Sequence, residues 1–258
     1  MAGAQLYVDE HRIEELNDKT VDADPELRDH IAIINASFAA FDHILHSYQH
    51  QNVNELTVLR LGVRMFNAAG AGLKLARAGY YQPAFAQIRD VLETSFLLDY
   101  FKQDPSKIEV WRTSDHQGRK KHFSLHTVRK ALEAQDDFIS TRHVTYSNLS
   151  EYAAHPAPEG FVLISPNNMM TQIGPFPDED RIRAFLQDLA RFLASATMTF
   201  AGHLSAETAG DLLQRVAYMR AVRDWSANRV PGLYERLARD LDEIERDIAR
   251  WKRAESSQ

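Results

Sequence analysis

The segment from Pro83 to Phe101 is apolar on almost every side of the helix that it predicts. Its apolar residues recur at three- and four-residue spacings, which is the period of an α-helix. A surface helix keeps a wide polar face, so a helix that lacks one packs among other helices. We therefore expect the chain to fold around this segment. The apolar positions are Phe85, Ile88, Val91, Leu92, Phe96, Leu97, Leu98 and Phe101.

Helix signals recur through the rest of the chain. Asp24-Pro25 is typical of a helix start, because an aspartate accepts the first amide protons and proline fits the first turn. Asn54 is predicted to cap the next helix and Gly79 to end it. Another long helix is expected to begin at Asp178. The pattern predicts an all-α fold, a multi-helix bundle.

One stretch departs from the helical pattern. Residues 161–164 and 169–173 are short apolar runs on either side of Pro166-Asn167-Asn168. Two such runs around turn-forming residues are typical of paired strands. We therefore expect a small β-hairpin insertion at about residues 160–174.

The chain divides into three predicted parts. Residues 1–22 form an acidic N-terminal segment, residues 23–205 the helical bundle core, and residues 206–258 a C-terminal helical extension that packs on the core or on a partner. The acidity is concentrated early: residues 1–60 hold eleven acids and four bases, whereas the whole chain has a net charge of -6. Such a chain has no overall attraction for nucleic acid.

Composition excludes several classes of function. The chain has no cysteine, so disulfides, thiolate nucleophiles and cysteine metal sites are excluded. No apolar run reaches the ~18 residues that span a bilayer, and no signal peptide is recognisable. A cytoplasmic protein without membrane contact is expected. Because glycine-rich phosphate loops and dinucleotide fingerprints are also lacking, no cofactor is predicted.

Ionisable residues on the apolar central helix are the first candidates for a site. Arg89 and Glu93 are four residues apart and so share one face of the helix. Burying charge costs several kcal/mol unless it is paired. The two residues are therefore either a buried structural ion pair or part of a polar site.

A second group of candidates lies between residues 146 and 156. Tyr146 and Ser150 are also four apart, and His155 stands before Pro156, which forces it out of helical geometry. Histidine transfers protons near neutral pH, but a histidine at a helix end also binds the last carbonyls of that helix. A nucleophilic Ser150 is disfavoured, because no Gly-x-Ser-x-Gly elbow surrounds it.

The main basic stretch is a third candidate surface. It includes Arg112, Arg119, Lys120 and Lys121, which could contact RNA or a nucleotide, although the pattern favours a solvated helix face. His122 and His126 are spaced to share a metal ion. The residues between them, Phe123, Ser124 and Leu125, include no carboxylate as the zinc-peptidase pattern would have, so no metal site is predicted.

Two stretches together resemble a known group. They are Gly79 to Glu93, read as GYYQPAFAQIRDVLE, and Tyr146 to Pro156, read as YSNLSEYAAHP. They resemble an uncharacterised bacterial all-helical family loosely related to the HEPN superfamily. The resemblance implies a dimeric helical bundle and, in many HEPN proteins, a ribonuclease of stress or phage-defence systems. Those enzymes carry an arginine four to six residues before the histidine, where this chain has Ser150 before His155.

Two functional hypotheses follow. In the first, the chain is a HEPN-like ribonuclease or nucleotide-acting enzyme. In the second, it is a non-enzymatic interaction or regulatory module, in which the same side chains form a buried polar network. Both hypotheses expect five side chains to converge: Arg89, Glu93, Tyr146, Ser150 and His155.

Overall fold

The computed structural model describes residues 9–134, 149–154, 156–166 and 172–255. In these ranges the chain is all-α: it forms ten α-helices, one π-helix (Ser150–Ala154) and one 3-10 helix (Pro158–Ile164), with no β-strand. The α-helices are α1 Glu10–Ala23, α2 Pro25–Ser47, α3 Val53–Arg77, α4 Tyr81–Gln103, α5 Ser106–Thr113, α6 His116–His122, α7 Leu125–Glu133, α8 Glu179–Ala201, α9 Ala209–Ser226 and α10 Pro231–Glu255.

Helix α4 lies at the centre of the fold, as its apolar sequence predicted. It packs against α3 and α8 along most of its length, and against α7 and the π-helix on another side. Ile88, Val91 and Leu98 are fully buried. Helix α2 covers the far side of α8, and α9 packs on α2.

The helix boundaries follow from local caps. The Asp24 carboxylate accepts hydrogen bonds from the backbone of Glu26 and Leu27, as expected for the start of α2. For α3 the prediction was wrong by two residues: Asn52, not Asn54, is the cap. Gly79 follows α3 with φ of 85°, a left-handed conformation that suits glycine.

The predicted β-hairpin is wrong. Its first run, Phe161 to Ile164, belongs to a 3-10 helix that begins at Pro158. Gly160 and Leu163 are its buried residues, and their spacing of three is the period of a 3-10 helix, whereas a strand would bury alternate residues. Ile173, at the end of the second run, is almost fully exposed, and residues 167–171 lie outside the described residues.

Four acids near the N-terminus pair with bases from later in the chain. An isolated pair of this kind contributes little when exposed, and together the pairs offset only part of the negative charge of the first 30 residues. None of the described helices is long and apolar enough to cross a membrane. The ion pairs are Glu14–Lys74, Asp18–Arg77, Asp24–Arg183 and Asp29–Arg229.

Candidate functional site

Helix α4 meets the π-helix on the face that carries the predicted site residues. The side-chain amide of Gln82 donates a hydrogen bond to the backbone carbonyl of Ala153. Two turns further along α4, the guanidinium of Arg89 lies 2.7 Å from the carboxylate of Glu93. The Arg89 and Glu93 side chains are 24% and 34% exposed, so this ion pair is neither fully buried nor free in solvent.

The expected convergence of five side chains is only partly open to observation. Tyr146 and His155 lie outside the described residues. Ser150 begins the π-helix, but its side chain is not among those described. The two sequence segments are neighbours in space, since α4 packs against residues 150–154. That all five side chains meet stays a prediction.

The π-helix packs closely against the 3-10 helix that follows it. A Cβ atom added to Gly160 would lie 2.8 Å from the backbone oxygen of Tyr152, so only glycine allows this approach. Short π-helical turns are rare and are often found at functional sites. Tyr152 in this turn and Leu149 just before it line a pocket.

This pocket, which we call the α4–α8 cleft, has a volume of about 310 Å³. Its walls are mostly apolar or aromatic, and its polar part comes from two residues of α8. The described residues that line it are Phe85, Leu149, Tyr152, Leu163, Asp188, Arg191 and Phe192.

Asp188 is the most perturbed carboxyl group among the described residues. Burial against the apolar walls raises its pKa from 3.8 to about 6, and the positive charge of Arg191 offsets part of that rise. Within the described part of the chain, no hydrogen bond and no ion pair within 4.0 Å reaches the Asp188 carboxylate. Asp188 is thus a partly desolvated acid that faces a pocket.

Residues of α4 line two different cavities. Phe85 lines the α4–α8 cleft, and Arg89 follows it by one turn on the same face of α4. Glu93 instead lines another cavity, of about 210 Å³, beside Trp111 and Val128. Arg89 lies between Phe85 and Glu93 along α4, and its guanidinium pairs with Glu93.

The basic stretch is exposed. Arg112, Lys120 and Lys121 are open to solvent, whereas the Arg119 guanidinium folds back to donate to the Ser114 carbonyl. His116, His122 and His126 are exposed as well. Among the described residues no group of three or more potential ligands is placed to hold a metal ion.

Sequence reasoning missed Asp188, although the sequence carries a signal for it. Phe185 precedes it by three residues and Phe192 follows it by four, so all three share one face of α8. Phe185 and Phe192 are buried. A lone acid in an apolar stripe is the same anomaly that pointed to Arg89 and Glu93, and it identifies Asp188 by the same argument.

Comparison with known proteins identifies no relative: no family model, no curated protein and no solved structure matches this chain. The function of the candidate site must therefore be inferred from its geometry alone.

Proposed function

We propose that this protein is a HEPN-like enzyme that cleaves RNA or a nucleotide in the α4–α8 cleft. The observation that carries the proposal is Asp188, a carboxyl group whose pKa is raised to about 6 and which faces the cleft beside Arg191. Perturbed acids in pockets are typical of acid–base catalysts. The cleft also lies within the size range of sites for small molecules.

The proposed role of Asp188 is that of a general base. With its pKa near 6 it is roughly nine-tenths ionised at pH 7 and is a stronger base than an ordinary aspartate. It would take the proton of a ribose 2′-hydroxyl. The freed oxygen would attack the neighbouring phosphorus, and the bond to the 5′-oxygen would break to leave a cyclic phosphate.

The other groups of the proposal stabilise charge and complete the proton balance. Arg191 at the cleft, and Arg89 beside it, would offset the extra negative charge on the phosphate oxygens in the transition state. His155 is proposed to give a proton to the leaving 5′-oxygen. The exposed residues Arg112, Lys120 and Lys121, with Arg119, would hold more distant phosphates of an RNA strand.

Labelled single-stranded RNA at pH 7 tests the proposal. Asp188→Asn should lower cleavage at least ~100-fold, which is the usual contribution of a general base. Asp180→Asn is the matched control, because Asp180 is an exposed acid on the same helix. His155→Ala should also abolish cleavage. Equal cleavage by wild type and Asp188→Asn would show contamination and refute the proposal.

Assembly as a homo-oligomer is proposed with the HEPN-like function. Its support is an apolar surface at the 3-10 helix, where Phe161, Val162 and Ile164 are exposed. Exposed apolar side chains that lie together are typical of contact surfaces. Light scattering after gel filtration tests the proposal: Phe161→Asp should shift an oligomer towards monomer, and a monomeric wild type would contradict it.

The second candidate is a non-enzymatic module, and one contact favours it. Gln82 binds the backbone of the π-helix and so helps to fix how α4 meets residues 150–154, while Arg89 pairs with Glu93 within α4. In this alternative Arg89→Ala would lower the free energy of unfolding by roughly 1 kcal/mol, since the pair is partly exposed. RNA cleavage would be undetectable for wild type and all variants.

A further inference from the structure

A separate cavity, of about 330 Å³, lies between α2, α8, α9 and α10. It shares no lining residue with the α4–α8 cleft. Apolar side chains form most of its wall, among them Ala40, Ile44, Met198, Leu212, Met219 and Ile244.

The walls of this cavity favour an aliphatic ligand. A space of this size that is lined by apolar atoms offers water few hydrogen bonds, so an apolar molecule displaces water from it at little cost. Met198 and Met219 lie on different helices and face the same space. Methionine side chains are unbranched and flexible, and they adapt to the shape of a chain that enters between them.

One cation stands at the edge of the cavity without an acidic partner. The two terminal nitrogens of Arg215 donate to the backbone carbonyls of Ala201 at 3.2 Å, Leu204 at 2.5 Å and Ser205 at 3.1 Å. Its Nε–H is buried and has no hydrogen-bond partner. Burial lowers the pKa of Arg215, because the charged form has lost hydration.

The neighbouring ionisable side chains already bind each other or the backbone. Nε2 of His43 lies 2.8 Å from the carboxylate of Asp211. Asp211 also accepts hydrogen bonds from the backbone and hydroxyl of Thr208, at the start of α9. Asp211 acts on Arg215 through space, but among the described residues no carboxylate lies within 4.0 Å of the guanidinium.

We propose that this cavity binds a medium-chain aliphatic carboxylate. The hydrocarbon chain lies between Met198 and Met219, and the carboxylate offsets the charge of Arg215. A partly buried cation whose hydrogen-bond partners are all neutral gains most from an anion that arrives with its own apolar chain, since the chain brings the anion to the cavity. The same features would reject a neutral alcohol of equal length.

Isothermal titration calorimetry with decanoate tests this site, with decanol as the matched neutral ligand. We expect one decanoate per chain and at least a tenfold weaker affinity for decanol. Failure of decanoate to bind, or equal affinity for the two ligands, would overturn the proposal. Because no lining residue is shared with the α4–α8 cleft, RNA cleavage should be the same with and without decanoate.

Two variants locate the ligand. Ala40→Phe fills the cavity and should abolish decanoate binding, whereas Ala39→Phe places the same ring on the exposed side of α2 and should leave binding unchanged. Arg215→Met should remove the preference for decanoate over decanol. Because Arg215 also donates a hydrogen bond to the last residue of α8, the thermal unfolding of the Arg215→Met variant is measured in parallel. If Ala40→Phe binds decanoate like wild type, the cavity is not the site.

Discussion

Two regions of this molecule contain buried polar groups, and they treat them in opposite ways. Between α2 and α9, the hydroxyl of Ser37 lies 2.9 Å from that of Tyr218, and the indole N–H of Trp225 donates to Nδ1 of His30 at 3.1 Å. In the α4–α8 cleft, no described residue binds the carboxylate of Asp188. One region satisfies its polar groups internally, and the other leaves a carboxylate without a hydrogen bond from the described residues.

The difference has opposite consequences for stability. A polar group that is hydrogen-bonded inside a protein stabilises the fold modestly, and its partner is left unsatisfied when it is removed. A partly buried acid without a donor destabilises the fold at neutral pH, because ionisation in an apolar setting is costly. Replacement should therefore lower stability at α2–α9 and raise it at Asp188. Four experiments test this contrast.

The largest loss of stability is expected at the α2–α9 contact. Trp225 packs edge-on against His30 with ring centres 5.8 Å apart. Trp225→Ala should lower the free energy of unfolding by about 3–4 kcal/mol, through the cavity it leaves and the stranded His30 nitrogen. Urea unfolding measures the change. Leu213→Ala, at an exposed position of the same helix, should change it by less than about 0.5 kcal/mol.

Asp188→Asn should change stability in the opposite direction. The pKa of Asp188 is about 6 in the folded protein and 3.8 in the unfolded chain, so ionisation at pH 7 favours unfolding. The amide cannot ionise, and the variant should be about 1–3 kcal/mol more stable at pH 7. Urea unfolding should show this gain vanish below pH 4. A variant less stable than wild type would mean that Asp188 has a structural partner.

The sequence predicts the centre of the fold well because the decisive signals there are local. The all-round apolar pattern of α4 and the Asp24 cap depend on residues within a few positions. The 3-10 helix was misread as a strand because short apolar runs fit either element, and the packing of Gly160 on Tyr152 decides between them. That contact joins neighbouring segments, but it produces no periodic pattern of apolar residues in the sequence.

The candidate site was predictable in part for the same reason. The sequence singled out the two segments that Gln82 and Ala153 join, but it did not predict the contact between these two residues. The α4–α8 cleft was not predicted, since its third wall comes from α8, about a hundred residues further along the chain than α4. Asp188 carries a local signal in its apolar stripe. The sequence alone could not show whether Asp188 faces a pocket or is paired with a basic residue.

A smaller loss is expected where only one hydroxyl is removed. Tyr218 is buried, and burial raises its pKa to about 12, so the hydroxyl is neutral and bonds Ser37 and the carbonyl of Ala194. Tyr218→Phe should lower the free energy of unfolding by about 1–2 kcal/mol, because both partners lose a bond. Tyr234→Phe on α10 is the partly exposed control. Equal effects of the two variants would contradict the contrast between satisfied and exposed hydroxyls.

The smallest effect is expected in the pH dependence of stability, where two histidines and Asp188 act in opposite directions. Burial lowers the pKa of His30 and of His203, whose Nε2 bonds the carbonyl of Leu98. Both histidines stabilise the fold above pH 6.5, and that contribution is lost as pH falls and the unfolded chain takes up protons. Asp188 acts in the opposite direction, since its folded form holds a proton that the unfolded chain releases. Wild-type stability should therefore fall little between pH 7 and pH 5. In Asp188→Asn only the histidines remain, so urea unfolding should show a steeper fall over the same range, and parallel profiles would refute a titrating Asp188.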